Sequence, residues 1–177
     1  MSTTHSAPTG VERTFGVDEL IVSKTDPKGR ITYANELFVR MSGFTRHELL
    51  GAPHSIIRHP DMPRGVFKLL WDSLDAGREV FACVKNLSKN GDFYWVFAHV
   101  TPTLDASGSL VGHHSNRRCP DRSAIAAIEP LYAAMLDEEA RHARAEAAAA
   151  SFQLLARELR SRETSYEKLI FSITGSL

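Results

Sequence analysis

Cysteine is scarce in this 177-residue chain. Cys83 and Cys119 are too few and too far apart for a disulfide framework or a cysteine zinc site, so they read as structural thiols suited to a reducing compartment. Charge of one sign is also missing. Lysine plus arginine (21) balance aspartate plus glutamate (21), which excludes the long-range positive field that holds nucleic acid or an anionic membrane surface. No uncharged apolar run approaches the roughly 20 residues needed to span a bilayer, and residues 1–17 have neither the basic nor the apolar region of a secretory signal. They read as a flexible leader. Motifs of enzymes are absent too: there is no phosphate-cradling glycine loop, nucleophile elbow or His-Glu-x-x-His helix, so neither catalytic residues nor a metal site is expected.

What is present is the composition of a folded globular protein, 43% hydrophobic and 24% charged, with room for one main domain and an extension. Residues 20–24 and 31–34 are β-rich runs separated by Asp26-Pro27-Lys28-Gly29, a hairpin pattern. Asn35 is placed to cap a short helix that Gly43 ends. Thr45 and Glu48 have capping-box spacing for a second helix, ending at Gly51. Pro63 opens a longer one, with Val66, Phe67, Leu70, Trp71 and Leu74 on one face. Strands are then expected over 80–87, 93–103 and 110–117, the first two joined through Lys89-Asn90-Gly91-Asp92, a strong hairpin signal. The order β-β, helices, β-β-β predicts an α+β fold, a five-stranded antiparallel sheet with its helices on one face over residues 18–119.

Beyond Cys119 the composition turns to alanine, arginine and glutamate, and residues 120–177 read as a long helical segment. Phe152, Leu155, Leu159, Arg162, Tyr166, Leu169 and Ile173 repeat at 3,4 spacing, which predicts a coiled-coil seam and a homodimer; an amphipathic helix folded back on its own domain is the alternative. Pro130 predicts a kink or break near Glu129.

The stretches 31–35 (Ile-Thr-Tyr-Ala-Asn), 42–45 (Ser-Gly-Phe-Thr), 48–51 (Glu-Leu-Leu-Gly), 58–63 (Arg-His-Pro-Asp-Met-Pro) and 89–96 (Lys-Asn-Gly-Asp-Phe-Tyr-Trp-Val) resemble the PAS sensor domain of bacterial aerotaxis receptors. The resemblance covers roughly residues 18 to 135, with 58–63 its most specific part. It implies a PAS fold and a noncovalently bound FAD whose redox state is passed to a downstream signalling domain or to chemotaxis proteins, in the cytoplasm or on the cytoplasmic side of a membrane-anchored receptor. It also implies Asn35, Arg58, His59, Asp61 and Asn86 as the residues lining the flavin pocket, with Trp71 as a further candidate. Each has a structural alternative: Arg58 and Asp61 are spaced to pair, His59 to serve its turn, Asp61 and Asn35 to cap helices, and Trp71 to fill the core. The chain departs from the family where a Pro-Trp pair is usual after the long helix. It has Glu79-Val80 there, and so loses an aromatic neighbour for the ring.

Two other functions fit the same layout. A haem-binding PAS domain is favoured by His54, His59, His99, His113 and His114, although adjacent His113 and His114 on a strand face opposite ways. A ligand-free dimerisation module would carry the same tail. An adduct-forming light sensor is not expected, because residues 55–60 contain no cysteine.

Overall fold

The computed structural model describes residues 6–175. Residues 1–5 of the expected leader, and Ser176 and Leu177 at the end of the expected helical tail, lie outside the described residues. Five strands, β1 (Ile21–Thr25), β2 (Ile31–Ala34), β3 (Val80–Leu87), β4 (Phe93–Leu104) and β5 (Leu110–Arg118), form one antiparallel sheet in the order β2-β1-β5-β4-β3. Between β2 and β3 lie α1 (Glu36–Ser42), α2 (Arg46–Leu49), a 3-10 turn (His54–Ile57) and α3 (Arg64–Asp75). The order and type of these elements are those the sequence predicts.

Local chemistry accounts for the boundaries. Asn35 accepts a hydrogen bond from the Phe38 N–H and Gly43 ends α1 in the left-handed region, while Thr45 and Glu48 complete a reciprocal capping box on α2. The β3–β4 hairpin closes through Ser88 N–H to the Asp92 carbonyl, 2.7 Å, with Gly91 at φ 94°.

The described residues divide into two compact units, 6–59 with 84–119 and 60–83 with 120–175. Residues 60–83, read from sequence as the middle of the first domain, thus group with the C-terminal helices. The first unit buries Ile21, Ile31, Phe38, Phe44, Leu49 and Val96. Part of the leader belongs to it. Thr9 N–H donates to the Gly91 carbonyl at 2.9 Å, Arg13 N–H to the Phe93 carbonyl at 2.7 Å, and Phe93 N–H to the Val11 carbonyl at 2.9 Å. The Arg13 guanidinium caps the end of α1 at the Arg40 and Met41 carbonyls, both 2.9 Å. Residues 6–13 are therefore tied down, because the exposed backbone of the hairpin offers partners that a leader read in isolation lacks.

In the second unit the expected long helix is three, α4 (Arg122–Ala140), α5 (Ala147–Ser161) and α6 (Tyr166–Thr174). Of the expected seam, Leu155 and Tyr166 are buried inside the chain, Phe152, Leu159, Leu169 and Ile173 are half-buried, and Arg162 is exposed and ends α5. The interruption is local, since Glu163 has φ 50° and Ser165 starts α6 by accepting from the Lys168 N–H. Pro130 does not break α4. It lies on the exposed side with Ala126, where water can serve the carbonyl that proline has no N–H to meet, while Ile128, Leu131 and Tyr132 are buried around it.

Candidate functional site

The inner face of the sheet in the first unit is defined by register. Ser23 pairs with Ser115 and Ala34, Ile21 pairs with Arg117, and Arg117 pairs with Ala98 on its other side. Alternation puts Ile21, Ser23, Ala34, Ala98, Ser115 and Arg117 on one face, with Val96 and Tyr94 following along β4. Asn86 and Tyr94 each stand two residues inside the Ser88–Asp92 closing pair, so hairpin geometry places them across from one another.

Three polar side chains on this face, Arg117, Tyr94 and Asn86, stand out because each is buried and ends in an atom without a partner among the described residues. Arg117 is 2% exposed, yet among the described residues no carboxylate pairs with it. Its Nε donates to Ser115 Oγ at 3.1 Å, one Nη2 hydrogen to Ser23 Oγ, and Nη2 also lies 3.3 Å from His54 Nε2, while the guanidinium carbon sits 4.6 Å from the Phe38 ring centroid. Burial lowers its pKa to about 10, opposed by the nearby Tyr94. Arg117 Nη1, the Tyr94 hydroxyl and Asn86 Nδ2 are buried with no hydrogen-bond partner among the described residues. Such orphans are rare in a folded interior and mark a polar ligand or strain.

His54 belongs to the same cluster. It stacks on Phe38 at 5.7 Å and 16°, and its Nε2 lies 3.1 Å from Ser23 Oγ. Burial first, then the charges of Arg117 and Arg58, push its pKa down to about 3, so the ring is neutral at physiological pH.

Four of the six candidates from sequence lie in the first unit: Asn35, Arg58, His59 and Asn86. Asn86 is buried in the cluster and forms an isolated backbone bridge with Arg58. His59 is buried with its ring edge-on to Phe93, 5.9 Å away. Asn35 has its amide committed to backbone: Oδ1 accepts from Phe38 N–H (3.0 Å) and Val22 N–H (3.1 Å), and Nδ2 donates to the Leu20 carbonyl (2.8 Å). Its side chain fastens α1 to β1. Asp61 and Trp71 lie in the second unit, Asp61 exposed and Trp71 half-buried on α3. Asp61 is not the N-cap residue of α3. That position is Pro63, which offers no side-chain cap. Glu139 takes the role, accepting from Arg64 N–H at 2.6 Å and Gly65 N–H at 3.3 Å.

Sequence reasoning missed Arg117, Tyr94, Ser23 and Ser115, and singled out His54 only as a haem ligand. Sequence alternation gave no signal for Arg117, because the residues in phase with it on β5, Ser115 and His113, are polar and Arg118 follows directly.

A protein-family model described as the PAS fold matches residues 31–115. The aerotaxis receptor of Escherichia coli (strain K12) is 44% identical over 118 residues, 67% of this chain and 23% of that receptor. The chain belongs to the PAS family. Its likeness is to the aerotaxis-receptor kind of PAS sensor. The biofilm dispersion protein BdlA of Pseudomonas aeruginosa is 31% identical over 87 residues, 49% of this chain and 21% of that protein. This PAS chain thus spans less than a quarter of the length of these relatives. Among solved structures, the dark state of the blue-light photoreceptor Aureochrome1 LOV matches with a TM-score of 0.52 at 23% identity, covering 58% of this chain and 76% of that one. A Light-Oxygen-Voltage domain studied with a flavin analogue matches at 0.55 and 19% identity, covering 62% and 82%. At such identities the likeness is one of PAS fold.

Proposed function

We propose that the chain is a PAS redox sensor that binds FAD without a covalent bond and transmits its state through the C-terminal helices to a signalling output, chemotaxis in the first instance. The observation that carries the reading is the 44% identity to an aerotaxis receptor, and residues 58–63, which the family resemblance ties to FAD, point the same way. The residues present fit such a ligand. A flavin ring offers carbonyls and ring nitrogens along one edge, and buried donors without partners at Asn86, Tyr94 and Arg117 match acceptors of that kind.

When bound, FAD would supply an electron-accepting ring that the protein itself lacks. This chain's residues do the rest. Asn86 would hold the ring through its amide and Arg58 and His59 would border it, while Asn35 fastens α1 to β1 so that the inner face keeps its shape. The sheet relays the change: Arg117 ends the buried part of β5, and Cys119-Pro120-Asp121 lead straight from that strand into α4. A coupling of about 1–3 kcal/mol is enough for signalling. A PAS domain acting in this way is a sensor and needs no catalytic residue of its own.

The visible spectrum of the purified protein, followed by chemical reduction, tests the reading. Two flavin bands that bleach on reduction are expected. A single intense Soret band would transfer the case to haem, and a protein that stays colourless after incubation with FAD would leave only an interaction module.

A further inference from the structure

Residues 60–83 interrupt the sequence of the first unit yet group with the C-terminal helices, so the chain leaves that unit after His59 and re-enters it at Val84. Both crossings adjoin candidate ligand residues. Arg58 and His59 stand just before the segment, Asn86 just after it, and an isolated backbone bridge between Arg58 and Asn86 closes its base. Neither link is slack. Pro60 and Pro63 fix φ on one side, and on the other Cys83 and Asn86 belong to one strand, β3, about 10 Å apart. Both ends of the segment are then gripped from α4. At its start, Glu139 Oε1 accepts from Arg64 N–H (2.6 Å), Gly65 N–H (3.3 Å) and the Ser151 hydroxyl (2.6 Å), with the Glu139 side chain only 10% exposed. At its end, the buried Tyr132 hydroxyl donates to the Cys83 carbonyl at 2.8 Å. Tyr132 and Glu139 are seven positions apart, so they share one face of α4 and stand about 10 Å apart along its axis. Such bonds add little net stability each. They are directional, however, and pass a displacement on where apolar side chains would slide.

We propose, resting on the flavin reading above, that residues 60–83 are a coupling loop and α4 is its reader. A change of ligand state that shifts Arg58, His59 or Asn86 moves the two ends of the loop, and Glu139 and Tyr132 carry that movement into α4. Ser151 and Tyr166, bonded to Glu139 and Tyr132, extend it to α5 and α6. This route to the tail runs beside the direct connection from β5. Tyr132 and Glu139 act as positioning residues and touch no ligand. Coupling of this kind is reciprocal, so loosening the grip on α4 must also loosen the Arg58–Asn86 base.

The experiment reads hydrogen–deuterium exchange on the 177-residue protein, first without ligand. In Glu139→Ala and in Tyr132→Phe, exchange is expected to rise about tenfold in peptides spanning the Arg58–Asn86 bridge, while the β1–β2 hairpin keeps its wild-type rates. Glu139→Gln restores part of the protection, since its amide oxygen still accepts. A rise confined to Arg64 and Gly65, or one shared equally by the hairpin, reports local packing or global stability alone and overturns the proposal. The second comparison uses FAD-loaded protein before and after dithionite reduction. Exchange across α4, α5 and α6 is expected to differ between the two states in the wild type, and the folded variants are expected to keep FAD and lose most of that difference. FAD-loaded variants that keep all of it assign the signal to the β5 connection and overturn the loop, leaving the flavin reading intact. Should the wild type take up no flavin, that reading falls, and the ligand-free comparison decides the loop by itself. If Tyr132→Phe or Glu139→Ala does not fold, Glu139→Gln carries both comparisons.

Discussion

Gly65 sits where a Cβ would stand 2.5 Å from Ser151 Oγ and 2.6 Å from the Phe152 nitrogen, so α3 and α5 meet at van der Waals distance only because the side chain is missing. One of these neighbours is backbone and cannot swing aside. Gly65→Ala is expected to lower unfolding free energy by about 1–3 kcal/mol in denaturant titration. His54 supplies a second test at this scale. Its folded pKa is depressed from 6.5 to about 3, so the unfolded chain binds more protons between those values. Stability therefore falls as pH drops from about 6.5, and the stretch above 4.5 separates this effect from that of Glu48, whose carboxyl Lys89 holds down to about 2. Unfolding followed from about pH 7 to 5 should show that slope in the wild type and a flatter one in His54→Phe. Below 4.5, the loss of the charged Glu48 removes its bonds to Lys89 and Thr45, and Glu48→Gln should flatten that lower part of the curve.

Elements in the second unit are joined by polar contacts inside an apolar interior. The Tyr132 hydroxyl on α4 donates to the Cys83 carbonyl on β3 at 2.8 Å and shares a 3.0 Å hydrogen bond with the Tyr166 hydroxyl on α6. Burial is the main cause that raises both phenol pKa values, so neither ionises in the physiological range. Tyr132→Phe leaves a buried carbonyl and a buried hydroxyl without that partner and should cost about 1–3 kcal/mol. Tyr166→Phe should cost less, because Tyr132 keeps its carbonyl, and a double-mutant cycle read by thermal unfolding gives the coupling between α4 and α6. Glu139 performs the corresponding task for α3 and α5, accepting from Arg64 N–H, Gly65 N–H and Ser151 Oγ. These ties give α4, α5 and α6 one preferred packing.

Across the molecule, the fate of the C-terminal seam shows how one periodicity supports two architectures. Apolar residues at 3,4 spacing stabilise whichever helix offers a complementary stripe, whether on a second chain or after two turns on the same one. Here the seam residues Leu155 and Tyr166 are buried within the chain, so self-association through them would require the three helices to unpack. Leu155→Ala should therefore lower stability by about 2–5 kcal/mol, with light scattering showing no change of oligomer mass at concentrations where the fold persists. A drop in mass would restore the intermolecular seam. Charge balance acts at the same scale: equal numbers of acidic and basic residues leave no net charge to spread a long-range field over the surface.

The sequence alone determined the order and kind of the elements as far as β5, because strand alternation, the Asn-Gly hairpin, the Asn35 and Thr45 caps and the 3.6-residue stripes are local and need no partner to be legible. Arg58, His59 and Asn86 are candidates that family resemblance supplies and spacing does not. Only the tertiary structure decided that Asn35 is consumed by backbone, that residues 6–13 line the hairpin, and that residues 60–83 belong with the tail. It alone made Arg117 conspicuous. An arginine in a strand reads as an ordinary solvated charge until the register of β1, β4 and β5 shows which side it faces, how little water reaches it, and that no carboxylate among the described residues meets it.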